Sequence, residues 1–359
     1  MHLQKCLTFG VHIKTLDEFY NVLKAFKEKD PNGNGLADEI PFIGATSGGE
    51  NWFCDFIAAA FQPIDIQSNY LYPENGKIKA AYVEPEYKEA LKYLNKLYTE
   101  GLLSPSSFTS DGAQTRQTIQ NPSGVQVGCF TSMAPTYLIN ATDRAEGYDI
   151  LAPLTQDNGT GYAVYGASIP TNSFFITKNC QYPEAAFRLG DIMMSEEMSI
   201  WNRFGKKGTD WVEPEEGDHG MFESMGYKAK IKPILAWGSP QNSHWQQGAP
   251  AYRGYELACA TVDSGSNIYE TRIAEHLQSY LDKKPKEYIT KIIYTEDEIN
   301  AINEIQQNIT SYRKDSVARF IIGDWDIESG WEDYLKEMKA IGVDEMLDIV
   351  QKAYDRCNK

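Results

Sequence analysis

A chain of 359 residues, 42% of them hydrophobic, has the apolar content to bury a sizeable core and the length for two domains or one bilobal body, which excludes a disordered chain. Its formal net charge of −16 excludes nucleic acid and anionic membrane surfaces as partners, because both repel such a protein unless a basic patch compensates, and no run of Lys and Arg supplies one. No apolar run reaches the roughly eighteen residues of a membrane-spanning helix.

Residues 1–15 lack a charged segment followed by an apolar one and a small-residue cleavage site, so no secretory signal peptide is expected in this chain. Thr15-Leu16-Asp17-Glu18 is a capping box, and Leu16, Phe19, Tyr20, Leu23 and Phe26 recur at helical spacing, which predicts a helix over about 16–29. That helix delivers the chain into residues 30–39, where an oxygen-bearing side chain stands at every second position. Asp30, Asn32 and Asn34 occupy the first, third and fifth places of an EF-hand-type ligand series. Gly35 falls at the sixth place, where the turn is tightest, the backbone carbonyl of Leu36 follows, and Asp38 and Glu39 supply the closing carboxylates earlier than a standard loop would. A hard divalent cation, calcium, is the reading that uses all of these oxygens. A polar surface turn is the plainer one.

A strand is expected over 40–44, an apolar helical run over 52–61, an extended segment over 77–82, and a helix opened by Pro85 with Tyr87, Ala90, Leu91, Leu94, Leu97 and Tyr98 on its apolar face. A short helix over 114–120 and strands over 125–130 and 148–154 follow, then a β-favouring stretch containing Ser173-Phe174-Phe175-Ile176-Thr177. Pro183 opens another helix, with Ala186, Leu189, Gly190 and Met193 expected to line its inner side, and residues 201–217 read as loop. The last third is helical, over about 268–282, 296–319 and 344–356, with a second capping box from Thr295 to Glu298. Strands separated by helices, with no internal repeat, define an α/β body.

Little in the chain points to catalysis. The six cysteines (Cys6, Cys54, Cys129, Cys180, Cys259, Cys357) form no CxxC, the five histidines show no paired spacing, and there is no nucleophile elbow, P-loop or dinucleotide fingerprint. Asp210 and Glu213 beside Trp211 are candidates for a glycosidase carboxylate pair, against the plainer reading of solvated surface acids. The aromatics say more: 22 Tyr and 7 Trp exceed what a core requires and suit stacking on flat ligand faces, with core filling as the competing account. Asn51-Trp52, and Trp237, Trp245, Gln246, Tyr252 and Arg253 within the irregular stretch 227–254, combine apolar ring faces with hydrogen-bonding groups, as a sugar site requires.

Further stretches complete a pattern with the capped helix and the acidic loop: Ile176-Thr177-Lys178 with Pro183-Glu184-Ala185-Ala186, the turn Gly208-Thr209-Asp210-Trp211, and Phe320-Ile321-Ile322-Gly323 with Trp331 and Tyr334. With them the chain resembles the extracellular solute-binding proteins of carbohydrate ABC transporters, in the lipoprotein branch that includes the alginate-binding proteins. The resemblance implies a periplasmic-binding-protein-like (type II) two-lobed α/β fold with the first segment of the N-terminal lobe missing. Residues 14–165 would then be the first part of the C-terminal lobe, 166–235 a remnant of the N-terminal lobe, and 236–359 the second part of the C-terminal lobe with its helical tail. It implies a structural calcium held by Asp30, Asn32, Asn34, Leu36 through its carbonyl, Asp38 and Glu39. It also implies an oligosaccharide ligand, ABC permease subunits as partners, and an extracellular location, with full-length relatives tethered at the cell surface by a lipid anchor. No enzymatic activity is expected. The alternatives are a calcium-containing glycoside hydrolase and a calcium-dependent lectin.

Overall fold

The computed structural model describes residues 13–121, 124–132, 148–166, 174–220, 222–234, 241–245, 251–252 and 268–358. The chain divides into two compact units, Met1–Ile169 with Ser279–Lys359, and Pro170–Gln278. The sequence reading places the last boundary at 236, where the second unit runs on to 278.

The first unit begins with α1 (Leu16–Glu28), whose capping box is complete: the Glu18 N–H donates to Thr15 Oγ1 at 3.2 Å and the Thr15 N–H to Glu18 Oε2 at 3.0 Å. Its buried residues Leu16, Phe19, Leu23 and Phe26 follow helical spacing and face β1 (Ile40–Ile43). A single 3₁₀ turn over Gly49–Trp52 then leads into the short α2 (Phe53–Ala58). Phe42 lies between Phe19 and Phe53, edge to face with both rings at 5.6 and 6.2 Å.

Strands β2 (Leu71–Glu74) and β3 (Lys77–Ala80) form a hairpin around Asn75-Gly76, both with positive φ (51° and 76°), as a two-residue turn requires. Only the β3 half was expected, although Asn-Gly is the strongest short hairpin signal. The Glu287 carboxylate accepts from the backbone N–H of both turn residues at 3.1 Å. α3 (Pro85–Thr99) buries the apolar face foreseen for it, with Tyr98 at its edge, and α4 (Gly112–Ile119) is capped by Asp111. β4 (Val127–Phe130) then pairs in parallel with β1, in the register Ile40↔Val127, Phe42↔Cys129 and Ile43↔Phe130.

The stretch 148–154 is not a strand. Among the described residues its neighbourhood makes one parallel bridge, Thr15↔Thr155. Ser173 lies outside the described residues, and 174–177 has no regular structure and leaves Phe174, Phe175 and Ile176 exposed.

In the second unit α5 (Pro183–Met193) has no buried residue, so its expected inner side is not enclosed; Ala186, Gly190 and Met193 are half-buried and Leu189 is exposed. α6 (Glu196–Phe204) occupies residues partly read as loop; its start is signalled by the Ser195 cap. Strands β5 (Trp211–Val212) and β6 (Lys232–Pro233) pair antiparallel, and Phe204 and Ile231 form a small core with Ile200 and Trp211. α7 spans Ile268–Leu281.

The helical tail belongs to the first unit: α8 (Glu296–Ile322), α9 (Ile327–Ile341) and α10 (Val343–Cys357). α9 was not anticipated as a separate helix, although Asp326 caps it and Gly342 ends it at φ 115°. α8 packs on α3, and Asn95 Nδ2 donates to the carbonyls of Phe320 and Ile321 at 3.3 and 3.0 Å, satisfying groups a helix end leaves open. Among the described residues no helix is long and apolar enough to cross a membrane.

Candidate functional site

The acidic loop hangs between the C-terminus of α1 and the start of β1, and its own backbone folds it. The Asp30 carboxylate accepts from the N–H of Asn34 at 3.1 Å and of Gly35 at 2.9 Å, Asn32 Oδ1 accepts from the Asn34 N–H at 3.0 Å, and Asn34 Oδ1 from the Leu36 N–H at 2.7 Å. Gly33 and Gly35 take left-handed φ values of 71° and 76°, which lets the chain curl round these side chains. Asn34 Nδ2 reaches both Asp38 oxygens at 3.1 and 3.2 Å, and Asn32 Nδ2 reaches Asp38 Oδ1 at 3.4 Å. From outside the loop the Gln126 amide also donates to Asp38, the largest of the bonds that hold the Asp38 carboxyl below its ordinary range.

The donor set fits a hard cation. Asp30, Asn32, Asn34 and Asp38 are drawn into one hydrogen-bonded group, and an amide presents oxygen instead of nitrogen after a half-turn. Glu39 Oε1 is buried with no hydrogen-bond partner, as an oxygen reserved for a ligand would be. The carboxylates of Asp30, Asp38 and Glu39 do not converge within 4.8 Å as a set. The asparagines link the acids, and a cation would supply the remaining attraction.

Of the proposed sugar contacts, Asn51 and Trp52 sit half-buried in the turn that follows β1, in the first unit. Trp245 and Tyr252 are both anchored to α6 in the second unit, the Trp245 N–H donating to the Asn202 carbonyl at 3.0 Å and the Tyr252 N–H to Ser199 Oγ at 2.8 Å. Ser199 and Asn202 are three apart on one helix face, so the two aromatic residues share an anchorage, with Trp245 70% and Tyr252 47% exposed. Trp237, Gln246 and Arg253 lie outside the described residues.

Asp210 and Glu213 do not make an acid–base pair. Asp210 accepts from the Lys206 N–H at 2.7 Å and the Ser243 hydroxyl at 2.8 Å, Glu213 is paired with Lys207, and these bonds hold both carboxyls below their ordinary values. A general acid at neutral pH needs the opposite shift.

Three buried acids, Glu50, Asp55 and Asp65, escaped the sequence reading, since none sits in a motif. Glu50 is 1% exposed in the turn after β1, and neither carboxylate oxygen has a hydrogen-bond partner. Asp55 on α2 lies under Arg313 of α8 and accepts from the Tyr70 hydroxyl at 3.2 Å, with the guanidinium over the Tyr70 ring at 3.8 Å. Burial pushes the Asp55 carboxyl from its ordinary 3.8 to about 6, against the pull of Arg313 and Tyr70.

Between those two values folded Asp55 keeps a proton that the unfolded chain has released, so it opposes folding increasingly as pH rises from about 4 to about 6 and at a constant level above. A gap of this size corresponds to about 3 kcal/mol as an order of magnitude. Asp55→Asn removes the ionisation, so the variant's stability relative to wild type should rise between pH 4 and pH 7 in urea unfolding. A difference constant across that range would overturn the assignment.

A family model described as bacterial extracellular solute-binding protein matches residues 6–199, more than half of the chain, and the chain belongs to that family. It is 25% identical over 350 residues to the fructooligosaccharide ABC transporter substrate-binding protein FusA of Streptococcus pneumoniae, covering 96% of this chain and 62% of FusA. The chain thus spans less than two thirds of that relative's length.

Among solved structures, an HMO-binding ABC-transporter-associated solute-binding protein of Bifidobacterium longum infantis superposes with a TM-score of 0.75 at 19% identity, over 97% of this chain and 71% of that one. An EF-hand mutant of FusA in complex with fructo-nystose gives 0.73 at 22%, over 97% and 70%. The alginate-binding protein AlgQ2, solved without calcium ion, gives 0.66 at 19%, over 96% and 68%. The fold is therefore the two-lobed solute-binding one. Membership in a family of binding proteins sets aside the glycoside hydrolase alternative.

Proposed function

We infer that this chain is the extracellular carbohydrate-binding component of an ABC importer, that it delivers oligosaccharide to permease subunits, and that residues 30–39 hold a structural calcium ion. The observation that carries the sugar assignment is the match to FusA, a fructooligosaccharide-binding protein, through 96% of this chain. The first unit corresponds on this reading to the C-terminal lobe, and the second unit contains the piece of the N-terminal lobe. A lipid anchor at the cell surface fits the same branch of the family.

Trp245 supports the ligand role independently, because an indole left 70% exposed on a backbone-anchored loop offers a flat apolar face to a pyranose or furanose ring. Tyr252, held by the same helix, is assigned to the ligand with Trp245; Asn51, Trp52, Trp237, Gln246 and Arg253 are assigned as sugar contacts from the sequence. The ligand is a neutral oligosaccharide in preference to a uronate, given the chain's net charge of −16.

Calcium is the resident ion for which the loop's donors are suited: three carboxylates, two side-chain amides and a carbonyl, all hard oxygens. That FusA has been solved as an EF-hand mutant, and AlgQ2 without calcium ion, supports a site of this kind in relatives. When bound, the ion supplies charge that joins Asp30 to Asp38 and Glu39 across the turn. The loop's place between α1 and β1 suits it to stiffening that connection.

Calorimetric titration with kestose, nystose and alginate oligosaccharides, with chromatography of the mixtures afterwards, tests the assignment. Saturable heat without new products is expected, strongest for the neutral sugars, and Trp245→Ala should weaken it about tenfold, close to the worth of one aromatic stacking contact. Product formation, or no heat with any of the sugars, would overturn the reading. If calcium were in the sugar site, as in a lectin, chelator would abolish the heat; here the heat is expected to persist.

A further inference from the structure

Gln126 belongs to neither the acidic loop nor any motif, yet its side chain meets the loop and its backbone meets the strand that leaves it. Its Nε2 donates to Asp38 Oδ2, and its backbone carbonyl accepts from the Ile40 N–H at 2.8 Å. Its Oε1 is in turn held by Asn121 Nδ2, from the turn that follows α4. A chain of three side chains, Asn121 to Gln126 to Asp38, therefore runs from the end of α4 into the ninth position of the loop.

The placement has a physical consequence. Gln126 precedes Val127, the partner of Ile40 in the parallel ladder, so the residue that orients Asp38 also accepts the first hydrogen bond between the entrances of β1 and β4. A carboxylate that serves a cation must present an oxygen in a fixed direction. Within the loop the side-chain amides of Asn32 and Asn34 donate to Asp38, and those are groups that a cation would draw away from it. Gln126 and Asn121 offer no such conflict, because they lie outside the loop.

We propose that Gln126 is a positioning residue for the calcium: it fixes the Asp38 carboxylate from the β4 side, and through it an ion bound in the loop reinforces the first rung between β1 and β4. This rests on the calcium reading above. Outer partners of metal ligands are commonly worth about 10–100-fold in affinity, because an unheld ligand must be ordered when the ion binds.

Calcium titration of the full chain by calorimetry, for wild type, Gln126→Met, Asn121→Ala and the double variant, tests it. Gln126→Met keeps the length of the side chain and removes the donor; calcium affinity should fall about tenfold or more, while the melting temperature in chelator changes by a smaller margin than the one in calcium. Asn121→Ala leaves the donor in place and frees it to rotate, so affinity should fall about threefold, and the double variant should bind no more weakly than Gln126→Met alone. Should Gln126→Met fail to fold, Asn121→Ala carries the test by itself. Affinity within a factor of about two of wild type in both single variants would overturn the proposal with the calcium site intact. Absence of calcium heat in wild type would instead overturn the calcium reading, and the proposal with it.

Discussion

In 1 mM calcium the wild-type chain should melt roughly 8 °C above its melting temperature in chelator, and Asp30→Ala should abolish that difference. The size follows from mass action. Sensor-class loops bind with dissociation constants near 1 μM, so 1 mM is about a thousandfold excess and stabilises the folded form by about 4 kcal/mol. For a body of this size each kcal/mol moves the midpoint by about 2 °C. Asp30 is the residue to remove because both of its oxygens work: they accept the Asn34 and Gly35 N–H groups, at 3.1 and 2.9 Å, that curl the loop. Alanine therefore takes away a charge and the template for the turn together. Sugar specificity should be unchanged, since the loop closes on its own backbone between α1 and β1. Scanning calorimetry in calcium and in chelator decides it, and equal midpoints for wild type in the two conditions would sink the structural-calcium assignment.

The loop's own hydrogen-bonded fold was legible because every part of it is local: the oxygen-bearing side chains, the tight-turn glycine and the flanking helix cap all lie within 25 residues, 15–39. The same holds for α1, α3 and the start of α8, where a capping box or an N-terminal proline coincides with apolar periodicity. What escaped was set by distance along the chain. Gln126 reaches Asp38 across 88 residues and Arg313 lies far from Asp55 in sequence, so no spacing rule could have joined them. The expected strand over 148–154 was read from its extended, apolar residues alone, which do not name a pairing partner, and among the described residues the pairing there is the bridge at Thr155. On α5 the apolar spacing was real, but spacing names a face without saying what covers it, and that face is at most half-buried.

The aromatic surplus, read as a possible sign of ligand stacking, has much of its weight in the core of the first unit, and Tyr334→Ala is the test of that. Tyr334 is fully buried on α9, with ring centroids 5.0 Å from Trp331, 5.7 Å from Tyr312 and 5.7 Å from Phe320, and its hydroxyl donates to the Tyr82 carbonyl at 3.0 Å. Truncating a fully buried aromatic ring costs about 3–5 kcal/mol, the transfer free energy plus the cavity left behind. Tyr334→Phe keeps the ring and strands the buried Tyr82 carbonyl, for about 1–3 kcal/mol. Urea unfolding should therefore rank the variants wild type, Phe, Leu, Ala in falling stability, Leu above Ala because it fills part of the volume and below Phe because it lacks the stacked faces. A Phe variant as unstable as Ala would shift the weight from ring packing to the single hydrogen bond. A cost below about 1 kcal/mol for Ala would contradict the burial itself, because a cavity of that size cannot be closed cheaply where Trp331, Tyr312 and Phe320 already meet in contact with one another or with Tyr334.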